Sequence, residues 1–317
     1  MYEQFYGLNA RPFDLSPDPR FLVVTEVHQE ALSNLQYAIA SRKGITLLVG
    51  EAGTGKTTVI RAAIETQPER VHCVYLHNPA LTKAEFVEML AAQFALSDSA
   101  RESKTELLLE LETLLKRRRE LGESTVLVVD EAQSLPYELL DEIRLLTNIE
   151  TSSEKLVTVI IAGQPEIAER LNGAAFRQFK QRIALRCALR PLSLNESVGY
   201  IASRIRVAGG SPANVFTREA VMLIHEYSRG IPRTINVFAD NALVSGFAAQ
   251  ERPVRTQLVR DVGLDFDIGA SRPATQAPAV VRTPGRAAIP LSPSEQRGLD
   301  AAAAVAPPQR RYGIRKN

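Results

Sequence analysis

The chain has 317 residues, of which 45% are hydrophobic and 23% charged, a composition that excludes a collagen-like or wholly disordered chain. No apolar run is long enough to cross a bilayer and the N-terminus lacks a secretory apolar segment, so we expect neither a membrane span nor a secretion signal. The two cysteines suggest reduced thiols in a cytoplasmic protein, and the four histidines lack the spacing of a zinc site.

The net charge of +2 is unevenly distributed along the chain. Residues 270–317 hold eight Lys or Arg against two acidic residues, a net of +6, which leaves −4 for the rest. The same 48 residues contain seven of the 18 prolines and few large apolar side chains, so we predict a disordered tail. The tail is either a solvated end or a basic arm for nucleic acid, an anionic membrane or a partner.

Residues 1–192 alternate β-prone apolar runs with amphipathic stretches, which predicts an α/β domain with a parallel sheet flanked by helices. The predicted strands are Ile45–Val49, Val71–His77, Thr125–Val129 and Leu156–Ala162. A helix predicted from Thr105 to Leu121 ends in the basic run from Lys116 to Arg119. Cations complement a helix C-terminus, so we prefer a solvated helix end to a DNA contact there.

Residues 193–265 follow a helical pattern, which predicts a small all-α domain after the sheet. Asn195 and Thr217 are the expected N-caps of its first two helices. The predicted domains are therefore an α/β nucleotide-binding domain (1–192), a helical lid (193–265) and the tail (266–317). The four predicted helices of the lid are Asn195–Ala208, Thr217–Ser228, Pro232–Ala248 and Arg255–Asp261.

The stretch Gly50-Glu51-Ala52-Gly53-Thr54-Gly55-Lys56-Thr57 fits G-x-x-x-x-G-K-[ST] at every fixed position. It lies between a predicted strand and a helix that continues from Thr58, which is the context of a phosphate-binding loop. Backbone N–H groups and the helix N-terminus would face the phosphates. Lys56 is expected to reach the β- and γ-phosphates, and the Thr57 hydroxyl to bind Mg²⁺. We predict that residues 50–58 bind a nucleotide.

A second signal is the apolar run from Thr125 to Val129 followed by Asp130 and Glu131. Both carboxylates would lie at the carboxyl end of a buried strand, where open α/β sheets bind their ligands. Asp130 is predicted to hold Mg²⁺ and to complete the nucleotide site. Glu131 is predicted to activate the water that attacks the γ-phosphate.

Two polar residues follow other predicted strands. Asn78 could hydrogen-bond Glu131 and hold it away from water until a ligand binds, or it is a turn residue before Pro79. Gln164 could sense the γ-phosphate or position the attacking water, or it is a turn residue before Pro165.

Arginines supply two further candidates. Arg182, with Arg177 and Arg186 as alternatives, could stabilise the charge that develops on the phosphate in a neighbouring subunit. The alternative interpretation is that these arginines only form a solvated basic surface. Arg233 follows Pro232 at the start of a predicted helix, where a cation is electrostatically unfavourable unless an anion is near. We therefore expect Arg233 to face the nucleotide.

Together these features resemble the AAA+ superfamily, and more narrowly the general secretion pathway protein A ATPases. The resemblance covers about residues 1–265, and Pro19 and Phe21 match the segment that lies near the nucleotide base in that family. The runs that carry it are Phe5-Tyr6-Gly7-Leu8, Pro12-Phe13, Ser16-Pro17-Asp18-Pro19-Arg20-Phe21-Leu22, His28-Gln29-Glu30-Ala31-Leu32, Asn78-Pro79, Asp130-Glu131-Ala132-Gln133, Glu142-Ile143-Arg144-Leu145-Leu146-Thr147-Asn148 and Gly163-Gln164-Pro165-Glu166.

The resemblance implies a P-loop AAA+ fold and an ATPase that uses ATP and Mg²⁺ at the interfaces of a homo-oligomer, either a ring or a filament. We expect a secretion or export accessory ATPase acting on an envelope protein. The alternatives are an ATP-dependent DNA-binding regulator of transposition or recombination, and a nucleotide switch that binds ATP without hydrolysing it. Secretion members carry a membrane span and a peptidoglycan-binding region after the ATPase, whereas here we expect the basic tail after it.

Overall fold

The computed structural model describes residues 1–15, 21, 25–68, 70–76 and 81–266. The predicted tail from residue 267 onward lies outside the described residues. Asn78 and Pro19 lie outside them as well, so their expected roles remain predictions.

A parallel sheet occupies the first half of the fold, and this confirms the predicted α/β class. Its strand order is β2-β3-β4-β1-β5, with every neighbouring pair parallel. Each predicted strand is found within two residues of its expected ends in the described part of the chain. The strands are β1 (Ile45–Gly50), β2 (Val71–Leu76), β3 (Ser124–Val129), β4 (Thr158–Gly163) and β5 (Ile183–Leu189).

Helices cover the sheet and then continue as a separate helical layer. Short 3₁₀ turns occupy Ala132–Ser134 and Ala174–Phe176. The α-helices in the described residues are α1 (Tyr2–Tyr6), α2 (Glu26–Ala40), α3 (Lys56–Glu65), α4 (Lys83–Gln93), α5 (Asp98–Glu102), α6 (Lys104–Glu120), α7 (Tyr137–Leu146), α8 (Pro165–Arg170), α9 (Arg177–Lys180), α10 (Leu194–Val207), α11 (Pro212–Val215), α12 (Arg218–Ser228), α13 (Pro232–Ala248) and α14 (Thr256–Asp265).

The sheet is apolar on both faces because successive side chains of a strand point to opposite sides. Leu127 and Val129 of β3 belong to a core shared with α4, α6 and α7. Val126 and Val128 belong to the opposite core, which is shared with α2 and α3. Burial on both sides explains why the strands appear in the sequence as continuous apolar runs.

The helical layer has its own core, which also takes in the N-terminus. Tyr6 and Phe13 are almost fully buried and belong to one cluster with Ile201 and Phe238. The N-terminal residues therefore pack with the helices of residues 193–265, although they precede the sheet in sequence. The domain boundary after residue 192 remains a prediction that these contacts do not decide.

The first helix of this layer starts differently from the prediction. Asn195 was the expected N-cap, but the cap is Ser193, whose hydroxyl accepts a hydrogen bond from the backbone N–H of Glu196. The Glu196 carboxylate accepts in return from the backbone N–H of Ser193, which completes a capping box. Thr217 caps α12 as expected, accepting from the N–H of Ala220.

No helix in the described ranges is both long enough and apolar enough to cross a membrane.

Helix α6 packs one of its faces against the sheet, and a pair of leucines on opposite faces of the helix tests this orientation. Leu111 is 1% exposed and Leu109, on the same helix, is 56% exposed. We expect Leu111→Ala to lower the free energy of unfolding by about 2–5 kcal/mol, because a buried leucine leaves a cavity. Leu109→Ala should change it by less than about 0.5 kcal/mol. Urea denaturation measures both, and equal losses would contradict the observed orientation of α6.

Candidate nucleotide-binding site

The predicted site residues meet at one edge of the sheet. Strands β3, β4 and β1 are parallel neighbours, so their carboxyl ends lie side by side. The phosphate loop follows β1, Asp130 and Glu131 follow β3, and Gln164 follows β4. This edge is where open α/β sheets bind ligands.

The loop backbone is curled as the glycine pattern predicts. Gly53 and Gly55 have φ of +83° and +96°, in the left-handed region that glycine tolerates best. A Cβ on Gly50 would lie 2.7 Å from Thr54 Oγ1 and 2.8 Å from the Leu189 carbonyl oxygen. A side chain at Gly50 would therefore force the loop open.

Lys56 is buried at 6% exposure inside this curl. Its ammonium group donates hydrogen bonds to the carbonyl oxygens of Gly50 at 2.8 Å and Glu51 at 3.1 Å. Burial lowers the pKa of Lys56, and the nearby carboxylates of Glu131 and Asp130 oppose that shift. The lysine is thus an internally paired cation at the centre of the loop.

Thr57 and Asp130 join the loop to strand β3. The Thr57 hydroxyl donates to Asp130 Oδ2 at 2.8 Å, and the backbone N–H of Glu131 donates to Asp130 Oδ1 at 2.9 Å. A hydroxyl and a carboxylate are hard oxygen donors of the kind that Mg²⁺ prefers beside a nucleotide's phosphates. With the glycine-lined curl, these residues fit a triphosphate and its Mg²⁺.

Glu131 lies beside this pair in a strained backbone conformation. Its φ is 51°, in the left-handed region, which costs a residue other than glycine about 1–3 kcal/mol. Its side chain is exposed, and Glu131 Oε2 accepts hydrogen bonds from Gln133 Nε2 at 2.5 Å and from Gln164 Nε2 at 3.4 Å. Gln164 therefore contacts Glu131, while its expected role toward the γ-phosphate or the attacking water stays a prediction. Gln133 was given no role from the sequence.

Arg233 lies where the helical layer meets the loop. Its backbone N–H donates to the carbonyl oxygen of Gly53 at 3.2 Å, and a Cβ on Gly53 would lie 2.7 Å from Arg233 Cβ. The guanidinium is exposed and has no hydrogen-bond partner within the described residues. A cation at the start of α13 therefore adjoins the phosphate loop.

Arg182 lies at the opposite end of the sheet. It immediately precedes β5, which runs parallel to β1 with Ile183 beside Ile45. The seven residues of β5 separate it from the loop end of the sheet by about 20 Å. Arg182 is exposed, as are Arg177 and Arg186. Arg182 is therefore not placed to act on its own chain's loop.

His28 is a second residue that the sequence did not assign to the site. Its Nε2 lies 2.9 Å from the Thr54 carbonyl oxygen, and its Nδ1 lies 2.7 Å from Thr25 Oγ1. A carbonyl only accepts, so Nε2 donates and ties α2 to the phosphate loop. Histidine spacing gave no signal for this contact, because it depends on how α2 packs against the loop.

Comparison with known proteins agrees with this geometry. An AAA domain family matches residues 39–171. General secretion pathway protein A of Aeromonas hydrophila is 40% identical over 249 residues, covering 78% of this chain and 45% of that protein. The ATP-dependent target DNA activator B of Escherichia phage Mu is 24% identical over 177 residues, covering 55% of this chain and 53% of that protein. The chain thus spans about half the length of these two curated relatives.

Solved structures share the fold. The ORC2 protein of Aeropyrum pernix, in ADPNP and ADP complexes, has a TM-score of 0.58 at 17% identity, over 80% of this chain and 71% of that one. Drosophila ORC bound to DNA has a TM-score of 0.61 at 22% identity, over 82% of this chain and 65% of that one. At these identities the likeness concerns the fold alone.

Gly53 gives a test of the loop geometry. We expect Gly53→Ala to weaken binding of a fluorescent ATP analogue by at least about tenfold, because the new Cβ meets Arg233 and the loop loses its curl. Gly122→Ala is the matched control, since Gly122 has φ +75° with no atom within 4 Å of its added Cβ. Both variants carry similar backbone strain, so equal affinities for the analogue would contradict the cradle.

Proposed function

Because this chain has the P-loop AAA fold and resembles general secretion pathway protein A over 249 residues, we propose that it is an ATPase acting at the interfaces of a homo-oligomer. The observation that carries the proposal is the hydrogen bond from Thr57 to Asp130, with Glu131 next in the chain. It joins the phosphate loop to the acidic pair that phosphoryl transfer requires.

The roles of the loop residues follow from their chemistry. Residues 50–58 would hold the phosphates of ATP through their backbone N–H groups, with the ammonium group of Lys56 turning from its loop carbonyls toward them. Thr57 and Asp130 would hold Mg²⁺, which neutralises charge that develops on the phosphate oxygens. Arg233 would add a positive charge from the helical layer.

Glu131 would act as the general base. An ionised carboxylate can accept a proton from a water that attacks the γ-phosphate. Gln164, hydrogen-bonded to Glu131 in this structure, would help to orient that water. Asn78 is proposed for the same edge on sequence grounds alone.

Arg182 would act in a neighbouring subunit. It lies at the end of the sheet opposite to its own phosphate loop, so it can meet a phosphate only across an interface. An arginine supplied in this way stabilises charge in the transition state. Hydrolysis should then require assembly.

We propose that the partner is an envelope protein of a secretion or export system, since the relative with 40% identity is a general secretion pathway protein. We propose a cytoplasmic location on the basis of the cysteines. Cys73 and Cys187 are free, and burial raises the pKa of both thiols, that of Cys73 to about 11. Unreactive free thiols are typical of a reducing compartment.

Mixing two inactive variants tests the site and the interface together. We expect Glu131→Gln to lower kcat at least about a hundredfold while ATP binding persists, because the general base is lost. Arg182→Ala should lower kcat by about a thousandfold at assembly concentrations. A mixture of the two should regain activity, because interfaces form with an intact Glu131 on one side and an intact Arg182 on the other. Steady-state phosphate release measures all three samples.

The outcomes separate the alternatives. Arg182→Ala with unchanged turnover would exclude the role of this arginine in trans. Binding of ATP without turnover in the wild-type chain, unaltered by Glu131→Gln, would identify a nucleotide switch instead of an ATPase.

A second candidate function is ATP-dependent DNA binding, and a feature of the surface favours it. Between Glu169 and Glu196 the sequence has six Lys or Arg and no acidic residue. Two adjoining cavities of about 510 and 180 Å³ are lined mainly by this segment, and Lys180 contributes to both. Arg177 lines the larger cavity and Arg186 the smaller, with no carboxylate among their described lining residues. Such a surface suits a phosphodiester backbone.

The DNA hypothesis predicts a local effect of charge. Lys180→Glu with Arg186→Glu should weaken ATP-dependent retention of DNA by at least about tenfold and make it less steeply dependent on salt. The control is Lys116→Glu with Arg117→Glu, an equal change of charge at exposed positions on α6. Filter binding across a salt series measures both. No retention of DNA by the wild-type chain at low salt with ATP would exclude this function.

A further inference from the structure

The side chain of Gln133 bridges the acidic pair and the next strand. Gln133 Nε2 donates to Glu131 Oε2 at 2.5 Å, and Gln133 Oε1 accepts from the backbone N–H of Gln164 at 3.0 Å. Glu131 follows β3 and Gln164 follows β4, so one amide links the carboxyl ends of two strands.

The chemistry of the groups fixes the orientation of this amide. A backbone N–H can only donate, so the oxygen of the Gln133 amide must face Gln164. Its NH₂ group is then left to face Glu131, whose ionised carboxylate can only accept. Each end of the Gln133 side chain therefore has one suitable partner.

The surroundings hold Gln133 in place. The guanidinium of Arg170, at the end of α8, donates to the carbonyl oxygens of Gln133 and Leu135, which fixes the 3₁₀ turn that carries Gln133. Gly163 leaves the space that the amide fills, since a Cβ there would lie 2.9 Å from Gln133 Oε1. The contacts of Arg170 with the turn and the space beside Gly163 thus fix the position of the Gln133 side chain.

We propose that Gln133 is a positioning residue for Glu131, the general base of the proposed ATPase. Gln133 holds Oε2 of the carboxylate, with a longer hydrogen bond from Gln164 to the same oxygen. Oε1 has no hydrogen bond within the described residues and is left to accept from the attacking water. Gln133 also connects the base to the tip of β4, so a movement of Gln164 would shift the position of the Glu131 carboxylate. The inference rests on the proposed function of the same site.

Positioning has a distinct kinetic signature. Misplacing a catalytic group by about 1 Å costs up to about a hundredfold in rate without a change in ground-state binding. We expect Gln133→Met, which keeps the length of the side chain and removes both hydrogen bonds, to lower kcat by about 10- to 100-fold. The dissociation constant of a non-hydrolysable ATP analogue should stay within about twofold of the wild-type value.

Gln133→Glu separates the two hydrogen bonds. It keeps an oxygen for the N–H of Gln164 but places a second carboxylate against Glu131. If Gln133 acts on Glu131, this variant is at least as impaired in kcat as Gln133→Met. If the link to Gln164 were all that mattered, Gln133→Glu would turn over like the wild-type chain, which would overturn the proposal.

A double-mutant cycle tests whether the effect passes through Glu131. In the Glu131→Gln background, adding Gln133→Met should change kcat by less than about twofold, because the group that it positions is already absent. A further loss in that background would indicate a general structural role and overturn the proposal. Gln257→Met on α14 is the matched control, since Gln257 Nε2 also donates to a carboxylate, that of Asp261, at 2.9 Å.

The failures of the two proposals are distinguishable. If the wild-type chain has no turnover, or if Glu131→Gln leaves turnover intact, the proposed ATPase mechanism is wrong and Gln133 has no base to position. If turnover depends on Glu131 but Gln133→Met matches the wild-type chain, only the role of Gln133 is wrong. Thermal unfolding of each variant identifies any loss that comes from misfolding.

Discussion

The parallel pairing of β3, β4 and β1 is the constraint on which the site depends. These strands are neighbours and run in one direction, so their carboxyl ends lie at one edge of the sheet. The polar segments that follow them, from distant parts of the sequence, therefore lie side by side. The pairing is stabilised by burial of both faces of the sheet, on which strand residues alternate between two apolar cores. The cores therefore set the position of the candidate site, although none of its described polar residues belongs to them.

The edge of the sheet is organised by hydrogen bonds that connect its segments. Lys56 binds carbonyl groups of its own loop, Thr57 binds Asp130, and Gln133 connects Glu131 to Gln164. Buried or half-buried polar groups are costly unless they are paired, so these contacts also fix the loop geometry. These hydrogen bonds hold the phosphate loop, the acidic pair and the tip of β4 in one arrangement.

Helices from outside the sheet contribute to the same edge. Arg233 reaches the loop from the helical layer, and His28 reaches it from the start of α2. The N-terminal residues pack in the helical core, so both ends of the described chain lie against the layer that carries Arg233. Arg182 precedes β5 at the opposite end of the sheet, so the role that we propose for it would depend on contact with a neighbouring subunit.

The sequence by itself determined strands β1 to β4, the phosphate loop and the acidic pair, because each depends on local pattern: apolar runs, glycine spacing and the residues that follow a strand. The strand order and the position of β5 beside β1 came only from the structure. The sequence placed most strand ends within one or two residues, but it missed the Ser193 cap and assigned no role to Gln133 or His28. Those contacts join residues that lie near each other only after the strands pair and α2 packs on the loop. Contacts between residues that are distant in sequence leave no local pattern to recognise. Only the tertiary structure therefore decided which side chains hold Glu131 and the phosphate loop in place.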